Sequence, residues 1–189
     1  TIYGSARLKP NDKLYGQTEE IARRLGEMGF SIISGGGPGV MEAANKGARE
    51  AGVVSVGLNI VLPQEQICNA YSTKTITFNH FFVRKVMLVK YATAFVIMPG
   101  GLGTLDELSE VLTLMQTRKI RPFPVILFDS HFWQGFLDWL RSAVLSKAFI
   151  DEEDLQLLRI CDQPAEVAEV VQRWYMKQEI LGRRAVPVR

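Results

Sequence analysis

Short apolar runs alternate along the chain with longer segments of helical periodicity. The apolar runs predict strands at Ile2–Tyr3, Phe30–Ser34, Val53–Gly57, Ala94–Met98, Pro124–Phe128 and Leu158–Cys161, with a further short strand at Thr75–Thr77. The segments between them predict helices near residues 14–28, 39–51, 80–91, 103–117, 133–147 and 164–181. The chain therefore reads as a regular alternation of strand and helix.

This alternation predicts the fold class. Continuously apolar strands indicate a sheet that is buried on both faces, which is typical of mainly parallel sheets between helices. Right-handed crossovers then give an α/β, Rossmann-like, doubly wound fold with helices on both faces. We expect one domain over residues 1–189. In such sheets, ligands bind at the carboxyl ends of the strands, where the strand order reverses.

Two glycine-rich turns follow predicted strands. Residues 34–42 read Ser-Gly-Gly-Gly-Pro-Gly-Val-Met-Glu, and residues 99–107 read Pro-Gly-Gly-Leu-Gly-Thr-Leu-Asp-Glu. Such turns let backbone amides approach an anion without obstruction by a Cβ, and a helix N-terminus adds positive charge. The pattern predicts a phosphate site. Neither turn is a dinucleotide fingerprint or a Walker motif, which argues against NAD and against ATP hydrolysis.

Each turn places acidic residues at the start of the next predicted helix. Glu42 follows the first turn, and Asp106 and Glu107 follow the second. Complementarity to the helix dipole favours acids there in any protein, but two such turns on one sheet favour a functional role. The same dipole is expected to keep Glu107 ionised.

The predicted helix from His80 to Tyr91 is apolar on nearly all sides, which predicts that it is buried. Arg84 in its middle then needs an anionic partner, which is either Glu107 or a substrate phosphate or hydroxyl. Lys85 lies about 100° further around the helix and is expected to face elsewhere. A role for this helix in a dimer interface is the open alternative.

Two further sets of polar residues flank the predicted crevice. Ser5 and Arg7 follow the first strand and are candidate nucleotide contacts, with a capped turn as the alternative. Thr104 can donate its hydroxyl to a phosphate or act as an ordinary helix cap.

Two other segments are assigned structural roles or left open. The aromatic group Phe132, Trp133, Phe136 and Trp139 has near-helical spacing and is interpreted as core packing. The connection at residues 63–66 is either a flap over the site or a plain surface loop.

The charge, the cysteines and the apolar runs of the sequence bear on which kinds of partner the protein can have. The net charge is only +2, which predicts no nucleic-acid partner, and the arginines of residues 183–189 are interpreted as a solvated terminus. Cys68 and Cys161 lack metal-ligand spacing and are expected to be ordinary thiols. No apolar run approaches the ~18 residues of a membrane span and no signal peptide is visible, so we expect no membrane partner and a cytoplasmic location.

The motifs together resemble those of the LOG ("lonely guy") family. The resemblance rests on Gly35–Ala44, on Arg84–Lys85 and on Pro99–Glu107, in that order, and it extends from Gly4 to about Val171. Members of this family are cytokinin riboside 5′-monophosphate phosphoribohydrolases, and many were labelled "possible lysine decarboxylase".

The resemblance implies hydrolysis of the N-glycosidic bond of a nucleoside 5′-monophosphate to free base and ribose 5-phosphate. It implies a homodimer or larger assembly, and we expect no cofactor and no metal. It assigns catalytic roles to Arg84 and Glu107. Substrate-binding roles are predicted for the residues of the two turns and their neighbours: Gly36, Gly37, Gly39, Met41, Glu42, Lys85, Gly100, Gly101, Gly103, Thr104, Ser5 and Arg7.

The sequence departs from plant-type short members of the family at three places that bear on substrate specificity. Plant-type short members carry an aromatic residue where Leu102 stands and Glu where Asp106 stands. The Phe-Phe-Val-Arg-Lys string at residues 81–85 is similar to longer bacterial members. The expected substrate is therefore AMP, another purine nucleotide or a cytokinin riboside monophosphate.

Two other activities are associated with motifs or folds of this kind. Decarboxylation with pyridoxal phosphate needs a Schiff-base lysine and an acidic partner for the pyridine nitrogen, and the sequence assembles no such set. Related folds carry molybdenum cofactor, so a non-catalytic nucleotide or molybdenum-cofactor carrier is the alternative to the hydrolase.

Overall fold

Strands and α-helices alternate along the chain in a computed structural model that describes residues 1–62 and 68–181. The strands are β1 (Ile2–Tyr3), β2 (Ile32–Ser34), β3 (Ser55–Ile60), β4 (Lys74–Phe78), β5 (Phe95–Ile97), β6 (Val125–Phe128) and β7 (Leu158–Cys161). The helices are α1 (Lys13–Glu27), α2 (Val40–Glu50), α3 (Phe81–Lys90), α4 (Leu102–Gln116), α5 (Ser130–Trp139), α6 (Glu152–Leu155) and α7 (Pro164–Ile180). The possible flap and the arginine-rich tail lie outside the described residues.

Every predicted strand is present, with shifts of a few residues at the ends. The helix predicted at 133–147 differs most: it begins at Ser130, because the Asp129 side chain caps it by accepting from the Phe132 amide over 3.3 Å. From Leu140 the helix widens into a π-helical turn and then a 3-10 turn that ends at Lys147. The short α6 was not predicted, because its four residues are too few to show periodicity.

All strand pairs are parallel, and they form two sheets. One sheet has the order β1-β5-β6-β7 and the other has the order β2-β3-β4. Cα atoms of β1 and β2 approach within 8 Å, although no ladder hydrogen bonds join these two strands. The chain runs from β1 outward through β2 to β4 and returns to the other side of β1 at β5. The order therefore reverses between β1 and β5, as doubly wound folds require.

Helices cover both faces of the sheets, which confirms the predicted layer arrangement. One core packs α3, α4 and α5 against the strands, through side chains such as Leu88, Val111 and Trp133. The other packs α1, α2 and α7 on the opposite face, through side chains such as Ile21, Ala44 and Val171. The strands are apolar throughout because they are buried between these two layers.

Helix α3 is not buried on all sides, so that prediction was wrong. Its inner face buries Arg84, Leu88 and Val89. Its outer face leaves Phe82 68% exposed and Val86 56% exposed. None of the described residues covers this outer face, so a helix that is apolar all round has only one side inside the core.

The aromatic residues of α5 are likewise buried on one side of the helix and exposed on the other. Trp133 is fully buried and Phe136 packs against the core, as predicted, whereas Phe132 and Trp139 are about half exposed.

Among the described residues, no helix is long and apolar enough to cross a membrane. The buried Cys161 and the exposed Cys68 are both free thiols, as expected.

Candidate active site

Three turns meet at the carboxyl ends of β1, β2 and β5. The backbone of Ser5 joins them: its amide donates to Pro99 O over 3.1 Å, and its carbonyl accepts from the Val40 amide over 3.0 Å. Gly39 adopts φ +68°, and a Cβ there would collide with Ser5 O. Glycine is therefore required where the turn after β2 passes the loop after β1. The structure thus brings both glycine turns and the Ser5–Arg7 loop to one edge.

The turn after β5 presents an open helix N-terminus. Gly101 and Gly103 are exposed, with no atom within 4 Å of a Cβ built on either one. Thr104 is only 4% exposed, and its Oγ1 occupies the space that a side chain at Gly100 would need. Helix α4 begins at Leu102 and has no side-chain cap. Its first amides therefore face open space, the geometry that binds phosphate at helix N-termini.

A buried polar network supports the turn after β2. The Gly36 amide donates to Ser34 Oγ over 3.0 Å, and Ser34 Oγ donates to Asn45 Oδ1 over 2.6 Å. Asn45 Nδ2 in turn donates to Ser55 Oγ over 2.8 Å. Ser34, Asn45 and Ser55 have no exposed surface. Because each polar group has a partner, the network fixes the turn without leaving orphaned buried atoms.

Two asparagines hold the same turn from the other side. Asn69 donates its amide to Gly36 O over 2.9 Å and its side-chain nitrogen to Gly37 O over 3.0 Å. Two carbonyls of the turn face the side-chain amide of Asn59 and therefore favour the amide orientation in which its nitrogen donates to Gly35 O and Gly36 O, both over 3.2 Å. This network was not predicted from the sequence, in which its one signal is a polar Asn45 among the alanines on the buried face of α2.

Arg84 of α3 and Glu107 of α4 form a largely buried ion pair. Their side chains are 11% and 19% exposed, and Arg84 Nη2 lies 3.7 Å from Glu107 Oε1. A side chain at Gly35 would collide with Arg84 Nη2, so the guanidinium lies against the first glycine turn. Arg84 Nε is buried and has no hydrogen-bond partner among the described residues. This Nε is closed off from solvent, so an incoming oxyanion or hydroxyl would meet the terminal guanidinium nitrogens, which make no hydrogen bond within residues 1–62 and 68–181.

The protonation of Glu107 differs from the expectation. Burial raises the pKa of Glu107 to about 7, against the opposing effect of the Arg84 guanidinium. Because α4 begins at Leu102, Glu107 and Asp106 lie beyond its first turn, where the helix dipole has faded. The predictions that these acids lie in the first turn, and that the dipole keeps Glu107 ionised, were wrong. Desolvation dominates instead, and near neutral pH both forms of the carboxyl are populated.

Lys85 pairs with a different part of α4. Its Nζ lies 2.6 Å from Asp106 Oδ2 and 3.4 Å from Glu110 Oε2. It therefore faces away from Arg84, as its helical position indicated, and its substrate contact stays a prediction. The burial of Arg84 lowers the pKa of its guanidinium while Glu107 raises it. An arginine stays protonated in either case.

The remaining predicted residues lie at the rim of the same edge. Met41 Sδ lines the space beside Gly35 that Arg84 also lines. Ser5 is half-buried and its Oγ accepts from the amide of the exposed Arg7 over 3.1 Å, the capped turn that was the alternative interpretation. Within residues 1–62 and 68–181, no group of three or more His, Cys, Asp or Glu side chains has metal-binding geometry.

Fold and site together define a Rossmann-like α/β protein with an uncapped helix N-terminus on the helix that carries one member of a buried arginine–glutamate pair. The family profile described as "Possible lysine decarboxylase" matches residues 41–171, which is most of the chain. The protein belongs to this family, whose members include the LOG phosphoribohydrolases, and the resemblance drawn from the motifs is confirmed.

Named relatives agree with this assignment. Rice cytokinin riboside 5′-monophosphate phosphoribohydrolase LOG is 28% identical over 85% of this chain and 67% of its own length. A Mycobacterium tuberculosis protein of the same enzyme name is 26% identical over 76% of this chain and 77% of its own. The chain spans 67% of the length of rice LOG and 51% of the length of the rice relative LOGL5. The molybdenum cofactor carrier protein of Chlamydomonas reinhardtii has a similar fold, with a TM-score of 0.66 and 20% identity over 93% of this chain and 95% of that one.

Proposed function

We propose that the protein hydrolyses the N-glycosidic bond of a nucleoside 5′-monophosphate, giving free base and ribose 5-phosphate. The observation that carries this proposal is the Arg84–Glu107 pair, buried beside an open helix N-terminus. Phosphate binding alone does not need a desolvated carboxyl. AMP and cytokinin riboside monophosphates are the substrates to test, because rice and mycobacterial relatives are named for the latter.

The 5′-phosphate binds at the amides of Gly101 to Thr104, where the helix dipole and the Thr104 hydroxyl favour an anion. This contact is remote from the bond that breaks, and its binding energy positions the sugar for reaction. A nucleoside that lacks the phosphate is therefore a poor substrate.

Glu107 acts at C1′. Cleavage develops positive charge on the ribose, as in glycoside hydrolysis, and an ionised Glu107 stabilises that charge. As the C1′–N bond breaks, the oxygen of the attacking water bonds to C1′ and Glu107 accepts a proton from that water. The departing base takes up a proton from solvent, and Glu107 returns its own proton to solvent. A carboxyl with a pKa of about 7 is suited to this exchange near neutral pH. Arg84 orients Glu107 and donates to the sugar or phosphate through the terminal nitrogens of its guanidinium.

Neither rival activity accounts for these groups as well. Lys85 is held by Asp106 and Glu110, which opposes a Schiff-base role of the kind that decarboxylation requires. The carrier alternative rests on structures that are about 20% identical, and such structures support a shared fold. A carrier would bind a nucleotide-like ligand and release no base.

The test is a comparison of AMP with adenosine. We expect the purified protein to release adenine and ribose 5-phosphate from AMP, with kcat/KM for adenosine lower by at least 100-fold. Equal kcat/KM values would refute the phosphate site at α4. Tight AMP binding without base release would favour the carrier.

We further propose that the protein acts as a homodimer or larger homo-oligomer through the outer face of α3. Phe81, Phe82 and Val86 are exposed on this face, and Met87 of the same helix lines a separate groove of about 1380 Å³ together with Ile76. Clustered exposed apolar side chains of this kind commonly mark a surface that another protein covers. Because the same helix carries Arg84 on its inner face, the interface adjoins the active site.

Light scattering after size exclusion tests this interface. We expect a dimer or larger species for the wild type and a monomer for Phe82→Glu. Phe149→Glu, which changes another exposed phenylalanine away from α3, should keep the wild-type mass. A monomeric wild type at tens of micromolar would contradict the proposal.

A further inference from the structure

A buried phenol from α1 holds a carboxylate on α2. Tyr15 donates its hydroxyl hydrogen to Glu42 Oε1 over 2.8 Å, and Tyr15 is only 3% exposed. Burial, followed by the adjacent Glu42, raises the pKa of Tyr15. The phenol therefore keeps its proton and remains a donor. This hydrogen bond holds the Glu42 carboxylate in one orientation.

Glu42 borders the candidate active site. It lies in the first turn of α2, directly after the first glycine turn. Val40, two residues earlier, donates its amide to Ser5 O and so ties this turn to the loop after β1. The preceding residue, Met41, reaches the space that Arg84 Nη2 lines. The first turn of α2 therefore forms one wall of the site.

Two carboxylates approach the crevice from opposite faces of the fold. Glu42 belongs to the layer of α1 and α2, whereas Glu107 belongs to the layer of α3 and α4. Glu42 Oε2 accepts no hydrogen bond from the residues in the ranges 1–62 and 68–181. Tyr15 thus fixes one oxygen of the Glu42 carboxylate and leaves the other available to a ligand.

Resting on the proposed function, we infer that Glu42 accepts hydrogen bonds from the ribose hydroxyls of the nucleotide. A carboxylate accepts hydrogen bonds and repels phosphate, so it recognises the donors of a nucleotide. Because Arg84 and Glu107 hold the sugar from the α3–α4 layer, the ribose hydroxyls are the donors that the α2 wall meets. Tyr15 is a positioning residue that acts through Glu42.

The experiment compares AMP with 2′-deoxy-AMP in the wild type, Glu42→Gln, Tyr15→Phe and the double variant. A hydrogen bond to a charged acceptor should raise the AMP to 2′-deoxy-AMP ratio of kcat/KM by about 10- to 100-fold above the ratio set by the unequal reactivity of the two glycosidic bonds. We expect the ratio to fall by about that factor from wild type to Glu42→Gln, and to fall part of the way in Tyr15→Phe. The double variant should match Glu42→Gln, because Tyr15 acts only through Glu42.

Controls separate this inference from the proposed function. Glu50→Gln, at the far end of the same helix, should keep the wild-type ratio. Calorimetry gives the Kd values of AMP and 2′-deoxy-AMP, and their ratio does not depend on turnover. A wild type that binds AMP without hydrolysing it would therefore refute the proposed function and leave the role of Glu42 testable from the Kd ratio. An unchanged AMP preference in a folded Glu42→Gln variant, in both ratios, would overturn the role of Glu42. Additive effects of the two substitutions would overturn the role of Tyr15.

Discussion

Replacing Glu107 by Gln should change how the stability of the protein depends on pH. Burial raises the pKa of Glu107 from 4.5 to about 7. Between these values the folded state binds more protons than the unfolded state, so wild-type stability falls as pH rises from about 4.5 and levels off above about 7. At 1.36 kcal/mol per pKa unit, the loss is about 3 kcal/mol. Because glutamine does not titrate, the Glu107→Gln variant does not undergo this loss of stability.

The assay is thermal unfolding of wild type and Glu107→Gln between pH 5 and pH 8. For a domain of this size, about 3 kcal/mol corresponds to roughly 6–12 °C in Tm. We expect Tm of the variant minus Tm of the wild type to increase by about that amount from pH 5 to pH 8. The size of this Tm difference at any one pH also depends on the loss of the ion pair with Arg84. The change in the Tm difference with pH depends only on the titration of Glu107. Glu169→Gln, at an exposed position on α7, should track the wild type. A constant difference across the range would refute a desolvated Glu107.

Three further substitutions test separate parts of the site. Arg84→Lys should lower kcat/KM for AMP at least 10-fold, measured by base release, because an ammonium cannot reproduce the planar donors of the guanidinium. Gly39→Ala should lower the free energy of unfolding by about 1–3 kcal/mol in urea titrations, because φ is +68° and a Cβ would strike Ser5 O. Asn45→Ala should cost about 2–4 kcal/mol in the same titrations, since it leaves Ser34 and Ser55 without their buried partner.

The sequence was sufficient to predict most of the fold, because strands buried on both faces show as apolar runs with glycine turns after them. It also offered Glu107 as a partner for Arg84, and the fold brings their side chains to 3.7 Å from one another across 22 intervening residues. The burial of α3 was misjudged because an apolar helix face gives the same pattern whether it packs in the core or lies exposed. Only the arrangement of the neighbouring elements distinguishes the two.

The supporting contacts could not be predicted, because they join residues distant in sequence. Nothing near Tyr15 indicates that its hydroxyl meets Glu42, 27 positions later. The bond of Asn69 to the first glycine turn is equally distant. The pKa of Glu107 depends on how deeply its carboxyl is buried, which the sequence does not show. Counted from the predicted start at residue 103 or the observed start at Leu102, Glu107 lies beyond the first turn of α4, so its place in the helix was misread.

Base release from AMP tests the central claim most directly. Purified wild type and Glu107→Gln are incubated with AMP at pH 7.5, and adenine and ribose 5-phosphate are quantified by chromatography while AMP binding is measured by calorimetry. The account predicts equimolar products from the wild type, and a variant that binds AMP but turns over at least 100-fold more slowly. A variant rate within a few-fold of the wild type would contradict the role of Glu107. AMP left intact by a wild type that binds it would contradict the hydrolase itself.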